Sequence, residues 1–188
     1  EAAGTVTATV TLDALSGLDV TVPYTVSGTA TGGATDHGLA DSSVTIGAGT
    51  LSATIDFTVT DDAIDEPDET VIVSMTTPSL VNASAGAATT HTVTVTDNDE
   101  ALVAFAAADQ IAAESAGTVA VAVTLSIESA FDVTIPYTVS GSAVGGSVDH
   151  AFANGSLTIP AGTTIGSIAA SVIDDALDEN DETIVVTM

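Results

Sequence analysis

Two nine-residue stretches concentrate the chemistry of this 188-residue chain: Asp61-Asp-Ala-Ile-Asp-Glu-Pro-Asp-Glu69 and Asp174-Asp-Ala-Leu-Asp-Glu-Asn-Asp-Glu182. Each holds six carboxylates, and the chain contains no Lys or Arg to neutralise them. Carboxylates about 5 Å apart repel by roughly 0.8 kcal/mol per pair in bulk water, and by more where water is partly excluded. A fold that gathers such groups calls for a hard, oxygen-seeking cation. Calcium accepts six to eight oxygens in irregular geometry, so its ligands can come from several loops, whereas magnesium's rigid octahedron makes it the weaker candidate. The plainer reading, a solvated acidic loop that serves solubility, accounts for the formal charge of -26 but not for its clustering in two matched places.

The elements that must position these acids are themselves repeated. A shift of 113 residues aligns residues 1–75 with residues 114–188 without a gap, and about 42 of the 75 positions are identical. Pro23-Tyr-Thr-Val-Ser-Gly28 returns as Pro136-Tyr-Thr-Val-Ser-Gly141, Gly32-Gly33 as Gly145-Gly146, and Asp36-His37 as Asp149-His150. This is a tandem of one module, residues 1–100 forming the first and residues 101–188 the second. The alignment implies that the first copy lacks its opening strand and the second its closing strand, as in a piece of a longer array or a unit completed by neighbouring chains.

Period-two alternation runs through each copy. Val6, Ala8, Val10 and Leu12 face one way against Thr5, Thr7, Thr9 and Thr11, and the second copy repeats the pattern with Val119, Val121, Val123 and Leu125. Further strands are expected over 20–26, 43–46, 51–59, 70–75, 91–96 and 101–105, separated by Gly, Pro, Asn and Asp clusters. About seven short strands per module predict an all-β fold of tandem immunoglobulin-like antiparallel sandwiches. Their cores are built from Val, Ile, Leu and Ala, since only 3% of residues are aromatic. On this reading Asp61-Asp62 leave one strand, Glu69 enters another and Asp97 leaves a third, which hairpin topology brings to one end of the sandwich.

The Glu before the first full strand, the Pro-Tyr-Thr-Val-Ser-Gly strand, the Asp after a Gly-rich turn, the Asp-Asp-x-x-x-Glu-x-x-Glu loop and the closing Asp97-Asn-Asp99 together resemble the Calx-beta domain. That family includes the regulatory domains of sodium/calcium exchangers and many repeats of bacterial surface proteins. The resemblance implies Ca2+ as the ligand. In the first copy it implies Glu1, Asp36, Asp61, Asp62, Glu66, Glu69, Asp97 and Asp99 as metal ligands, and in the second Glu114, Asp149, Asp174, Asp175, Glu179 and Glu182. The chain departs from the family at His37 and His150, where Tyr is common, and at Asn98, where many members have a third Asp.

Other chemistry finds little support. His37, His91 and His150 lack partners at transition-metal spacing and read as turn or strand side chains. Paired acids suggest a glycosidase, but there is no Trp, and the same acids recur in both modules. Tyr24 and Tyr137 sit in alternating strands and read as packing residues. Asn82-Ala-Ser84 and Asn154-Gly-Ser156 match a short glycosylation pattern that chance supplies readily. No nucleophile elbow, phosphate loop or zinc motif is present, so the expectation is a protein without catalytic activity.

The acidity excludes nucleic acid and anionic membrane surfaces as partners, and no apolar run is long enough to cross a bilayer. The absence of Cys leaves stability to packing and bound ions, and the absence of Lys and Arg leaves trypsin-like proteases nothing to cut. These features favour a calcium-stiffened repeat of an extracellular bacterial filament, matrix or adhesin stalk. Neighbouring repeats are its expected partners, by strand exchange where chains complete one another. The alternative is a calcium-sensing module attached to another protein.

Overall fold

The computed structural model describes residues 4–188, and Glu1 lies outside them. The chain divides into two compact units, one of residues 1–62 and 67–98, the other of residues 63–66 and 99–188.

In unit 1 the strands are β1 (Thr5–Thr11), β2 (Val20–Gly28), β3 (Ser42–Ile46) and β4 (Ser52–Thr58). Unit 2 contributes the next, the short β5 (Ile64–Asp65), before unit 1 resumes with β6 (Glu69–Met75) and β7 (Thr90–Val95). The remainder belong to unit 2: β8 (Val103–Phe105), β9 (Thr118–Leu125), β10 (Glu128–Ser129), β11 (Val133–Gly141), β12 (Gly155–Ile159), β13 (Ile165–Ser171) and β14 (Ile184–Thr187). The described helical elements are two single 3₁₀ turns, Thr77–Ser79 and Glu114–Ala116.

Unit 1 pairs β1 with β4 in one sheet and orders β3-β2-β6-β7 in the other, all antiparallel. The alternation seen in the sequence decides what each sheet turns inward. Ala8 and Val10 on β1, Ile55 and Phe57 on β4, Val20, Val22 and Tyr24 on β2, Ile46, and Val71 and Val73 on β6 form one buried cluster, closed by Val95 at the end of β7. The threonines between them on β1 stay exposed or partly so. Burying such branched side chains supplies about 25 cal/mol per Å² of apolar surface, with Tyr24 as the largest single contributor on β2.

Unit 2 repeats the plan as β13-β9-β8 opposite β12-β11-β14. Its core gathers Val123, Leu125, Ile135, Phe152, Ile159, Ile168 and Ala170. Beside it lies a cleft of about 1000 Å³, with Phe105, Val121, Phe152 and Val186 among its walls. A further sheet within unit 2 is the two-residue parallel pair of β5 with β10.

One backbone device in each unit fixes the acid-bearing end. Gly28, with φ 134°, ends β2 so close to β6 that a Cβ there would stand 1.9 Å from the Thr70 carbonyl oxygen. Gly141, with φ 140°, does the same against Thr183 at 2.0 Å. The close approach lets the Thr70 amide donate to the Thr29 hydroxyl at 2.9 Å and the Ala30 amide to the Thr70 carbonyl at 3.1 Å. In unit 2 the Thr183 amide donates to the Ser142 hydroxyl, also at 2.9 Å. The turn that follows β2 is thereby fastened to the start of β6, which carries Glu69. The Gly in Pro-Tyr-Thr-Val-Ser-Gly is thus a steric requirement.

Substituting Gly28→Ala is expected to cost about 2–4 kcal/mol, since it adds both backbone strain and a direct clash. Gly33→Ala, at φ 81° with open space around it, is expected to cost about 1 kcal/mol. Urea unfolding midpoints of the two variants measure the difference.

Candidate metal centre

In unit 1 the acids arrive at one end by four routes. Asp36 closes the Gly-rich turn: its amide donates to the Thr31 carbonyl at 3.0 Å, while its own Oδ2 accepts from the Thr31 amide. It is 7% exposed, the most buried acid of the unit. The Thr60 amide donates to the Asp36 carbonyl at 2.9 Å, which sets Asp61 and Asp62 immediately beside that turn. Glu69 opens β6 opposite Val95, and one of its carboxylate oxygens is shut off from water. Two residues beyond Val95, the Asp97 amide donates to Asp68 Oδ1 at 3.2 Å. These backbone bonds place Asp36, Asp61, Asp62, Glu69 and Asp97 toward one end of unit 1.

Glu66 and Asp99 belong to unit 2, and both are half-buried. Glu1 falls outside the described residues. Asp68 was not singled out by the sequence reading, yet it ties the exit of β7 to the acidic loop. Its signal was available in the second nonamer, where Asp181 takes the same place.

In unit 2 the acids crowd one another more openly. Asp149 repeats the Asp36 arrangement, its amide donating to the Val144 carbonyl at 3.0 Å and its Oδ2 accepting from the Val144 amide. The Ile173 amide donates to the Asp149 carbonyl at 2.9 Å, which brings in Asp174 and Asp175. Asp175 Oδ1 accepts from the Leu177 amide at 2.6 Å and turns the chain back. Glu114 sits in the 3₁₀ turn before β9, and the start of that strand is held to the end of β13 by the Val172 amide donating to the Gly117 carbonyl at 2.7 Å. The carboxyl group of Glu182 lies near that of Asp149.

Glu182 is held above the ordinary glutamate value, first by the displacement of water by neighbouring atoms, then by Asp149 and the negative charges of Glu179 and Glu114. Glu179 is raised by the same loss of hydration and by Asp149, Asp175 and Glu114. Both side chains are exposed, and the charges of the neighbouring acids act beside that loss of hydration. Five of the six acids that sequence resemblance assigned to the second copy thus feel one another electrostatically.

The donor chemistry fits a calcium ion: carboxylate oxygens from four segments of irregular backbone. The spacing is looser than a closed coordination shell, for among the described residues no three His, Asp or Glu side chains converge tightly enough to enclose an ion. A bound ion would hold Asp149, Glu179 and Glu182 after the loop draws in, and would supply the positive charge that the chain lacks.

The histidines serve the scaffold. His37 is 3% exposed, its Nδ1 accepts from the Leu39 amide at 3.1 Å, and its ring meets Phe57 edge-on at 6.2 Å. His150 repeats this with the Phe152 amide and ring. Several other acids are also spent on backbone amides: Asp19 on Ala48, Asp41 on Val26 and Asp132 on Ala161.

This architecture, a sandwich with acids from several strand ends gathered at one end, has a family match. A model of the Calx-beta domain matches residues 1–99 and again residues 96–188, and the chain belongs to the Calx-beta domain family. Two crystal structures resemble it along 99% of its length and 74% of theirs: the calcium binding domain CBD12 of CALX1.1, at 20% identity and a TM-score of 0.48, and CBD12 from CALX1.2, at 18% identity and 0.47. No curated protein sequence matches.

The sign of the pH dependence follows from the raised glutamates. A carboxyl whose folded value lies above its unfolded one contributes stability that is present below the unfolded value and lost as pH rises through the folded value. In chelator, therefore, the melting temperature is expected to rise as pH falls from 7 through the raised titrations of Glu179 and Glu182 toward 4.5. Excess calcium should flatten or reverse the trend, and melting curves at stepped pH measure both.

Proposed function

We propose that the chain is a non-catalytic, calcium-responsive tandem of Calx-beta domains that passes ion occupancy on to whatever it is joined to. The observation that carries this reading is the placement of Asp174 and Asp175 beside the anchored Asp149 by the Ile173 amide, with Glu179 and Glu182 near enough to these acids and to Glu114 for charge to be disfavoured. Such a cluster stores repulsion that a divalent cation removes. Drawing these acids around an ion shifts the loop over 174–182, whose backbone lacks regular structure, while Asp149 stays anchored through the Val144 amide. A loop that moves against a fixed anchor converts binding into a change of shape, which is what a regulatory module requires.

The ligands on this reading are Asp36, Asp61, Asp62, Glu69 and Asp97 in unit 1, and Glu114, Asp149, Asp174, Asp175, Glu179 and Glu182 in unit 2. Glu1, Glu66 and Asp99 complete the set taken from the family pattern.

A second reading, an extracellular structural repeat stiffened by calcium, is favoured by the composition. A chain with 26 acids and no Lys or Arg withstands trypsin-like proteases, and among the described residues no helix is long and apolar enough to cross a membrane. Affinity separates the two readings, since sensors bind calcium at about 10⁻⁷–10⁻⁵ M and extracellular modules at about 10⁻⁴–10⁻³ M.

Titration calorimetry is expected to detect calcium binding, with the sensor reading requiring the tighter range. Calcium at a hundredfold excess over the dissociation constant adds about 2.7 kcal/mol, which should raise the melting temperature by about 10 °C or more. Superimposable melts in calcium and in chelator would refute both readings. Asp149→Asn keeps the carbonyl-type acceptor for the Val144 amide but removes a charge. It is expected to raise the cation-free melting temperature and to weaken calcium binding about tenfold or more.

A further inference from the structure

Unit 2 contains a docking joint for which both halves exist a second time in the chain, unjoined among the described residues. The joint is the parallel pair in which Ile64 lies opposite Glu128 and Asp65 opposite Ser129. The Ala130 amide donates to the Asp65 carbonyl at 2.9 Å, and the Ser129 carbonyl accepts from the Gly162 amide at 2.9 Å. Covered in this way, Ser129 is 1% exposed.

The 113-residue shift maps the receiving half, Glu128-Ser129-Ala130-Phe131, onto Leu15-Ser16-Gly17-Leu18 in unit 1. That segment is already shaped for the role. The Gly49 amide donates to the Ser16 carbonyl at 2.8 Å, matching the Gly162 bond, and the Leu18 amide donates to the Ser16 hydroxyl at 3.1 Å as Phe131 does to Ser129 at 3.4 Å. What differs is the cover. Ser16 is only partly buried, Leu15 and Leu18 are 66% and 62% exposed, and among the described residues no carbonyl stands opposite the Gly17 amide as Asp65 does opposite Ala130.

The inserting half, Ile64-Asp65, maps onto Leu177-Asp178. Leu177 is 68% exposed and the segment is unpaired by any described strand. The chain thus displays an apolar residue on a strand-forming dipeptide at one place and a preformed edge flanked by two exposed leucines at another.

We propose that Leu15–Gly17 is a docking edge for the Leu177-Asp178 segment of a second copy of this chain, which adds there as a two-residue parallel strand with the Asp178 carbonyl accepting from the Gly17 amide. The contact is heterologous, so each copy offers one half to the copy ahead and the other half to the copy behind, giving an open row. Leu177 covers part of the Leu15 and Leu18 surface that water otherwise meets. Backbone hydrogen bonds at a sheet edge supply the register. Two strand residues make a weak joint between free chains, and modules joined in one chain would hold it through their high effective concentration. The inference rests on strand geometry and apolar exposure, and because Leu177-Asp178 lies within the loop that the calcium reading sets in motion, the test is run both with and without the ion.

Cysteine cross-linking tests it, since the native chain has no Cys. One chain carries Ser16→Cys and an isotopically labelled second chain carries Asp178→Cys. They are mixed in glutathione buffer at 0.15 M salt, where repulsion between acidic copies is screened beyond about 8 Å, with and without calcium. The intrachain pair Asp65→Cys with Ser129→Cys, at the joint within unit 2, serves as the calibrating bond.

The expected result is a mixed disulfide dimer well above its statistical share. Adding Gly17→Pro to the first chain, or Leu177→Asp to the second, should lower it about fivefold, the factor expected for one lost backbone hydrogen bond. Formation of the mixed dimer in only statistical proportion while the calibrating bond closes, or a yield indifferent to both added substitutions, would overturn the proposal. Thermal melts of the two added substitutions, without the cysteines, establish that each variant is folded.

Discussion

Uncompensated repulsion among carboxylates is the constraint on which this structure turns. A protein ordinarily pairs its acids with Lys or Arg, and this one has neither to set against 26 acids. It disposes of some by giving them backbone amides to accept from, as at Asp19, Asp41 and Asp132. Others stand apart on the surface, as Asp13, Asp109 and Glu128 do, where solvent and salt screen them. The acids of the two matched loops are brought together where strands end, and in unit 2 loss of hydration and the nearby charges of Asp149 and Glu114 raise both Glu179 and Glu182. The fold's own backbone enforces this, through the glycine crossings at Gly28 and Gly141 and through the Thr60 and Ile173 amides that hold the strand exits beside Asp36 and Asp149. On the proposed reading, a cation supplied from outside offsets the repulsion among these acids.

Much of this was legible in the residues. Period-two alternation, of Val and Ala with Thr on β1 and of Val with Ala on β9, marked the strands and their buried faces, because side chains on a sheet have a period of two. Repetition did the rest: a motif seen twice at a fixed offset, as Pro23–Gly28 and Pro136–Gly141 are, shows which glycines and aspartates serve the fold. The grouping of Asp36 with the acidic loop followed from family resemblance. Its physical cause, the Thr60 amide on the Asp36 carbonyl, is a tertiary hydrogen bond that no local pattern announces.

What escaped the sequence was short or nonlocal. The strand of two residues at Ile64–Asp65 lies inside a stretch whose acids suggest a solvated loop, and its partner at Glu128–Ser129 carries no β-branched signal. Asp68 stood in plain view among six acids but only the amide of Asp97 distinguishes it from its neighbours. His37 and His150 read as turn or strand side chains. They prove to be buried scaffolding, packed edge-on against Phe57 and Phe152, a role that depends on which residues fold against them.

The account's central claim, that the acid-bearing ends of these Calx-beta modules are cation sites, is tested most directly by crystals grown with calcium and measured for its anomalous scattering. The account predicts a peak at about 2.3–2.6 Å from carboxylate oxygens of Asp149 and Glu182, with Glu179 drawn toward it. Well-ordered density for these side chains at neutral pH, with Asp149 and Glu182 apart and no anomalous peak near either, would contradict it.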